Sequence, residues 1–188
     1  MTDFIRHDVE ISFLRTKQSI TANENYPETS GIYAIFLSEK SNLSGFGDGN
    51  KIVYIGIAKH SLRDRDFNQH FRTGQTGRST LRRSIGAILK DKLGLTAIPR
   101  GGINDGKRFD NFKFNQEQRL TDWMVSNLEI GYWTPKCPLS YQELRNVEKK
   151  ITMYLKPTLD LDNRTSRFNP LANKLNKLRE VCKREARL

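Results

Sequence analysis

Two short apolar runs limit what this chain can fold into. Gly31 to Leu37 reads GIYAIFL, and Lys51 to Ala58 reads KIVYIGIA. Each has strand length and is rich in β-branched and aromatic residues. Between them lies SEKSNLSGFGDGN, full of turn formers. Two such runs predict a hairpin with a long loop. The glycines of Gly45-Phe46-Gly47-Asp48-Gly49 are explained by loop flexibility. EIGYWT (129–134) reads as a third central strand, halted by Pro135 and Pro138.

Helices are expected around this sheet. SLRDRDFNQHF (61–71) can form a short one with Ser61 as N-cap. In STLRRSIGAILKDKLG (79–94), Leu81, Ile85, Ile88 and Leu89 form one apolar stripe. Ser79 can cap that helix and Gly94 can end it. Residues 95–107 read as a loop and 108–114 as an alternating strand. Asn115 with Gln118 makes a capping-box pattern ahead of Leu120, Trp123, Met124 and Leu128. Residues 140–155 form a helix closed before Pro157. Asn169 and Pro170 open a last helix with Leu171, Leu175, Leu178 and Cys182 on one side. The fold class is α/β (α+β): a small, central, mainly antiparallel sheet of about three strands flanked by helices, with a basic C-terminal helix. The expected division is a partly ordered lead-in (1–29), a central domain (30–165) and the basic helix (166–188).

The chain has 188 residues, which suits one domain. Lys and Arg number 32 against 21 Asp and Glu, a net charge of +11 at pH 7. That excess favours a polyanionic partner, most often nucleic acid. No run of about 18 apolar residues exists, so no membrane span is expected. The N-terminus carries acids and lacks an apolar core segment, unlike a signal peptide. Cys137 and Cys182 cannot build a disulfide framework or a four-Cys zinc site. The expected location is therefore intracellular: cytoplasmic, and nucleoid-associated in a bacterium.

Glu148 is unusual. Leu144, Glu148, Ile151 and Leu155 fall at helical spacing, so a carboxylate shares an apolar face. An unpaired buried carboxylate is costly. Such a Glu is paired with a base, held at the edge of the core, or ligating a metal. Tyr33 and Tyr54 lie in the two hairpin strands, next to Ile and Gly in each case. By themselves, strand tyrosines most often pack with a wet hydroxyl.

Taken together, Gly31-Ile32-Tyr33 and Tyr54-Ile55-Gly56 resemble the two motifs of the GIY-YIG nuclease superfamily. Leu62-Arg63-Asp64-Arg65 resembles the Leu-x-x-Arg that follows the second motif. His70-Phe71, Glu148 on a later helix, and Pro157-Thr158-Leu159-Asp160 complete the order. The likeness covers roughly residues 30–163. Arg65 matches the family arginine, with Arg63 as rival. His70 follows Arg65 by five residues, which in an α-helix turns about 500°. Its place in the site therefore requires a local bulge. Either Asp160 or Asn163 takes the position of the family asparagine.

The resemblance implies phosphodiester hydrolysis with one divalent cation, Mg²⁺ or Mn²⁺, on DNA, duplex or branched. Glu148 would hold the metal, leaving other positions to water and phosphate. Arg65 would bind phosphate with its planar fork of donors. Tyr33 would position or deprotonate water, helped by Tyr54 and His70. A phenol near pKa 10 is a poor base at pH 7 unless cations lower it. Lys59, Arg63 and Arg65 are the candidates for that field.

Arg72, Arg78, Arg82 and Arg83 are read as phosphate contacts flanking the cleft, against the plainer reading of a solvated helix face. Lys183 and Arg184 on the last helix would track the duplex backbone. The leucine stripe of that helix either packs on the domain or joins two copies in a homodimer. No nucleotide-binding P-loop is present. Restriction, repair and mobile-element roles all fit. The rival classes are a decayed nucleic-acid binder and a partner-dependent nuclease subunit.

Overall fold

The structure, a computed structural model, describes residues 3–22 and 25–188; residues 1–2 and 23–24 of the expected lead-in lie outside them. The two apolar runs pair as antiparallel strands, β2 (Gly31–Leu37) and β3 (Ile52–Ala58). β6 (Leu128–Trp133) lies along the other side of β2. A fourth short strand, β1 (Gln18–Ser19), extends β6 and gives the order β1-β6-β2-β3. The sheet thus has four strands, not three, because the N-terminal segment supplies its edge.

All seven residues of β2 are buried, since both faces of the strand are covered. Side chains alternate between the faces. Ile32, Ala34 and Phe36 meet Val9 and Phe13 of α1 (Asp3–Arg15) and Leu144, Val147 and Ile151 of α6 (Tyr141–Leu155). Tyr33, Ile35 and Leu37 face a larger core built with Leu62, Leu81, Ile85, Leu120 and Met124. The latter come from α2 (Leu62–Arg65), α3 (Thr80–Ile88) and α5 (Glu117–Asn127).

The described part of the N-terminal segment therefore packs into the fold through α1 and β1. Ile5, Val9 and Phe13 form its inner face at i, i+4 and i+8. Exposed Ile11 and Leu14 break the clean stripe that sequence periodicity looks for. The helix lies so close to β6 that a Cβ at Gly131 would sit 2.2 Å from Phe13 O. Ser12 Oγ donates to Tyr132 O at 3.1 Å, and Tyr132 N–H donates to Thr16 Oγ1 at 2.7 Å.

Other boundaries moved for local reasons. Ser79 caps α3 as expected, accepting from Arg82 N–H at 3.1 Å. The helix breaks at Leu89 and resumes as α4 (Lys90–Leu93), which Gly94 ends with φ of +60°. The loop at 95–107 contains β4 (Ala97–Ile98), paired with β5 (Lys113–Phe114) in a two-residue ribbon. Asn115 caps nothing; α5 starts after Gln116 without a side-chain cap. The full capping box belongs to Ser140 and Glu143 of α6. The β2–β3 loop is anchored, with Leu43 and Phe46 buried and no room for a Cβ at Gly49 against Glu39 O. Packing, not flexibility, explains its glycines.

The last helix, α7 (Ala172–Glu185), starts two residues after Pro170. Asn169 Oδ1 accepts from Leu171 N–H at 2.8 Å just ahead of it. Leu175 and Cys182 are buried in the domain's own core, with Leu171 and Leu178 against it. The stripe is consumed inside the fold, so it is not a surface for a twin subunit.

Phe13→Ala should lower unfolding free energy by about 3–5 kcal/mol, the usual range for a fully buried Phe. Urea unfolding measures it. A loss under about 1 kcal/mol would show that α1 is not part of the cooperative core.

Candidate active site

The hairpin register places the motif residues. Tyr33 stands opposite Gly56, and Tyr54 opposite Ile35. The Tyr33 phenol crosses directly over Gly56, where a Cβ would sit 2.2 Å from its oxygen. Gly56 is thus required for Tyr33 to lie flat on β3. Gly31 has the same logic: a Cβ there would meet Trp133 O at 2.6 Å and Leu62 Cδ1 at 2.8 Å. Its absence lets α2 close onto β2.

His70 then reaches Tyr33. Residues Asp66–His70 form a single π-turn, with Phe71 N–H donating to Asp66 O at 2.9 Å. This is the bulge that the five-residue spacing required, and π-turns are frequent at functional sites. His70 Nε2 lies 2.7 Å from Tyr33 Oη, and Nδ1 lies 2.6 Å from Ser79 Oγ. The rings of Tyr33, Tyr54 and His70 sit with centroids 5.6–6.2 Å apart.

In front of the Tyr33 and Tyr54 rings is a cavity of about 290 Å³, lined also by Arg65, Tyr141, Arg145, Glu148, Asp160, Asp162 and Arg164; His70 stands behind Tyr33 and does not line it. Arg65 is the arginine that faces it; Arg63 points toward Glu28, 3.9 Å away. Arg65 Nη1 bonds Gln69 Oε1, while among the described residues its buried Nε has no hydrogen-bond partner. Glu148 is nearly buried at the edge of the core, with Oε2 held by Arg164 Nη2 at 3.0 Å. Asp160 is buried beside it, and among the described residues its Oδ2 has no hydrogen-bond partner. Asn163 is exposed outside the cavity, so Asp160 is the one of the two that the fold brings to Glu148.

Among the described residues no cluster of three or more His, Cys, Asp or Glu converges as a metal cage. The arrangement is one carboxylate, with a second carrying an orphaned buried oxygen, beside an open polar front. That donor set fits Mg²⁺ or Mn²⁺, which keep several waters and bind through one or two carboxylates.

Burial dominates the electrostatics. It pushes the Tyr33 phenol well above its ordinary value of 10, with Tyr54 adding to the rise; Arg65 opposes both and loses. The cation field expected to acidify Tyr33 is thus outweighed by desolvation. Burial pushes His70 well below 6.5, and the charges of Arg65, Arg82 and Arg83 push the same way. His70 is therefore a neutral imidazole at pH 7. Burial also raises Glu148 to about 7 against the pull of Arg164.

Two expected phosphate contacts are corrected. Arg82 is fully buried and ion-paired to Glu117 at 3.2 Å. Its other N–H groups donate to Thr76 Oγ1, His70 O and Thr121 Oγ1. Arg83 is buried too, donating to Thr76 O and Gly77 O. Both hold the segment between His70 and Ser79 and cannot reach solvent phosphate. Lys183 is paired with Glu180 at 2.6 Å and Asp110 at 3.3 Å, which offsets its charge. Lys59, Arg72, Arg78 and Arg184 are exposed.

Some site residues escaped the sequence. Arg164 meets the requirement that a buried Glu have a basic partner, but sixteen residues and a loop separate them. Ser79 reads as a helix cap and serves also as the partner of His70. Tyr141 lies at the rim with Lys59 Nζ 5.5 Å and Arg145 Cζ 5.7 Å from its ring centroid.

Arg82→Met should cost about 3–5 kcal/mol in urea unfolding, because it leaves Glu117 buried and unpaired. A cost near zero would show that the pair does not organise this segment. His70 makes a second, pH-dependent mark. With its folded pKa below 6.5, its contribution to stability is complete above pH 6.5 and is lost as pH falls toward the folded value. Unfolding midpoints at pH 7.5 and 5.5 should therefore differ less in His70→Gln than in the parent; an equal difference would contradict it.

Comparison with known proteins comes to the same place. A family model described as the GIY-YIG catalytic domain matches residues 19–181. No curated protein and no solved structure matched the chain. The matched span begins at Ser19, the second residue of the edge strand β1, and ends in α7, so it takes in β2, β3, β6 and the cavity. The chain belongs to the GIY-YIG catalytic domain family.

Proposed function

We propose that this member of a nuclease family is a metal-dependent DNA endonuclease that hydrolyses phosphodiester bonds. The observation that carries the reading is the Tyr33–His70 hydrogen bond, 2.7 Å long, beside the cavity that Glu148 also lines. A phenol held above 10 is a poor base by itself but a good relay. With Nδ1–H donated to Ser79 Oγ, His70 Nε2 is free to accept. Tyr33 passes its proton to Nε2 while taking one from the attacking water. The water oxygen bonds to phosphorus as the bond to the leaving oxygen breaks. Arg65 Nε, a buried donor without a partner, finds its acceptor in a phosphate oxygen. Glu148, with Asp160 beside it, would hold Mg²⁺ or Mn²⁺. When bound, the cation offsets charge on the phosphate and the leaving oxygen. Lys59, Arg72 and Arg184 supply exposed contacts to the backbone.

One observation favours a second reading, a DNA-binding protein with a decayed site: Arg164 already occupies one oxygen of Glu148. The test uses duplex, branched and single-stranded DNA with Mg²⁺, Mn²⁺ or chelator. The expected result is cutting that needs metal. Glu148→Ala should abolish it while DNA binding survives, and Tyr33→Phe should lower it by at least about 10²-fold. Cutting by Glu148→Ala would remove its metal role. Binding without cutting under every metal would establish the decayed reading. Which DNA is preferred separates restriction-like from repair-like use.

A further inference from the structure

A second polar groove lies away from the catalytic cavity. It has a volume of about 570 Å³ and is lined by Gly74, Gly77, Arg78, Arg100, Asp105 and Lys113, among others. No proton-transfer residue of the site lines it. Its charge is unbalanced. Asp105 is taken by Arg100, with Oδ2 at 2.7 Å from Nε and Oδ1 at 2.6 Å from Nη2. Arg78 is exposed, Lys113 is half-buried, and among the described residues neither side chain has a hydrogen bond or an ion pair. Three cations therefore face one committed carboxylate.

The groove is also rigidly built. Arg100 packs so tightly on the turn Thr76–Arg78 that a Cβ at Gly77 would lie 2.5 Å from its Cγ. From behind, Arg83 donates to Thr76 O and Gly77 O, and Arg82 donates to Thr76 Oγ1. Gly74, at φ +85° with open space where a side chain would be, keeps one wall low. This turn belongs to the same segment that runs from His70 to Ser79. Thr80, two residues after this turn, lines the catalytic cavity, so the two openings are adjacent along the chain.

We propose that the groove is a second phosphate site, taking the backbone of the bound DNA outside the scissile position through Arg78 and Lys113. It rests on the nuclease reading above. Phosphate contacts of this kind set affinity and register without reading sequence.

The test is DNA binding by fluorescence anisotropy across a salt series. Arg78→Gln/Lys113→Gln is compared with its parent, both carrying Glu148→Ala so that no cutting intervenes. The slope of log affinity against log salt should fall by roughly two, one per lost contact. With Glu148 intact, the pair of changes should raise the half-saturating DNA concentration roughly tenfold or more and leave turnover at saturation unchanged. Arg78→Lys should keep the slope and serves as the folded control. An unchanged slope in a protein that still binds and cuts DNA overturns the groove alone. Competition by inorganic phosphate with an unchanged DNA slope would make it a small-anion site and overturn the backbone occupant. A parent that binds no DNA overturns this inference and the nuclease reading together.

Discussion

Strand β2 carries the architecture because its two faces serve two different layers. Ile32, Ala34 and Phe36 are covered by α1 and α6, and Tyr33, Ile35 and Leu37 by the remaining helices. A strand buried on both faces has no tolerance for register slip, since a one-residue shift would exchange its faces. Tyr33 inherits that precision. Its phenol lies on Gly56 of the next strand, and its hydroxyl ends 2.7 Å from His70. The geometry of the candidate site is thus a consequence of sheet packing, made possible by the glycines of both motifs.

The second organising element is buried charge. The arginines between 63 and 83 divide into two kinds. Arg82 and Arg83 are inside, donating to backbone and side-chain oxygens around Thr76. Arg72 and Arg78 are outside. The inner pair shapes the π-turn to α3 segment and helps keep His70 neutral. The outer ones keep their charge at the solvent surface. A net charge of +11 therefore combines buried structural cations and exposed ones that composition treats alike.

Much of the fold was legible. β2, β3 and β6 are short apolar runs with strong β preference, and Ser79, Gly94 and Ser61 marked real helix ends. What was missed has local causes. α1 hides its inner face because Ile11 and Leu14 are exposed on the outer one. β1, β4 and β5 are two-residue strands, too short to show a period. The fold brings together the residues that motif order offered for the candidate site: Tyr33, Tyr54, Arg65, His70 and Glu148. Asp160 over Asn163, and Arg65 over Arg63, followed only from which side chain the loop or helix turns toward the cavity.

The sequence by itself determined the hairpin, its family and the residue types offered for the candidate site, because those reside in local periodicity and motif order. Tertiary structure decided protonation, pairing and access. The neutral state of His70, the raised phenol of Tyr33, the Arg164 partner of Glu148 and the burial of Arg82 all depend on desolvation and on residues distant in the chain. Desolvation is a property of the packed neighbourhood, and no spacing rule along a single chain encodes it.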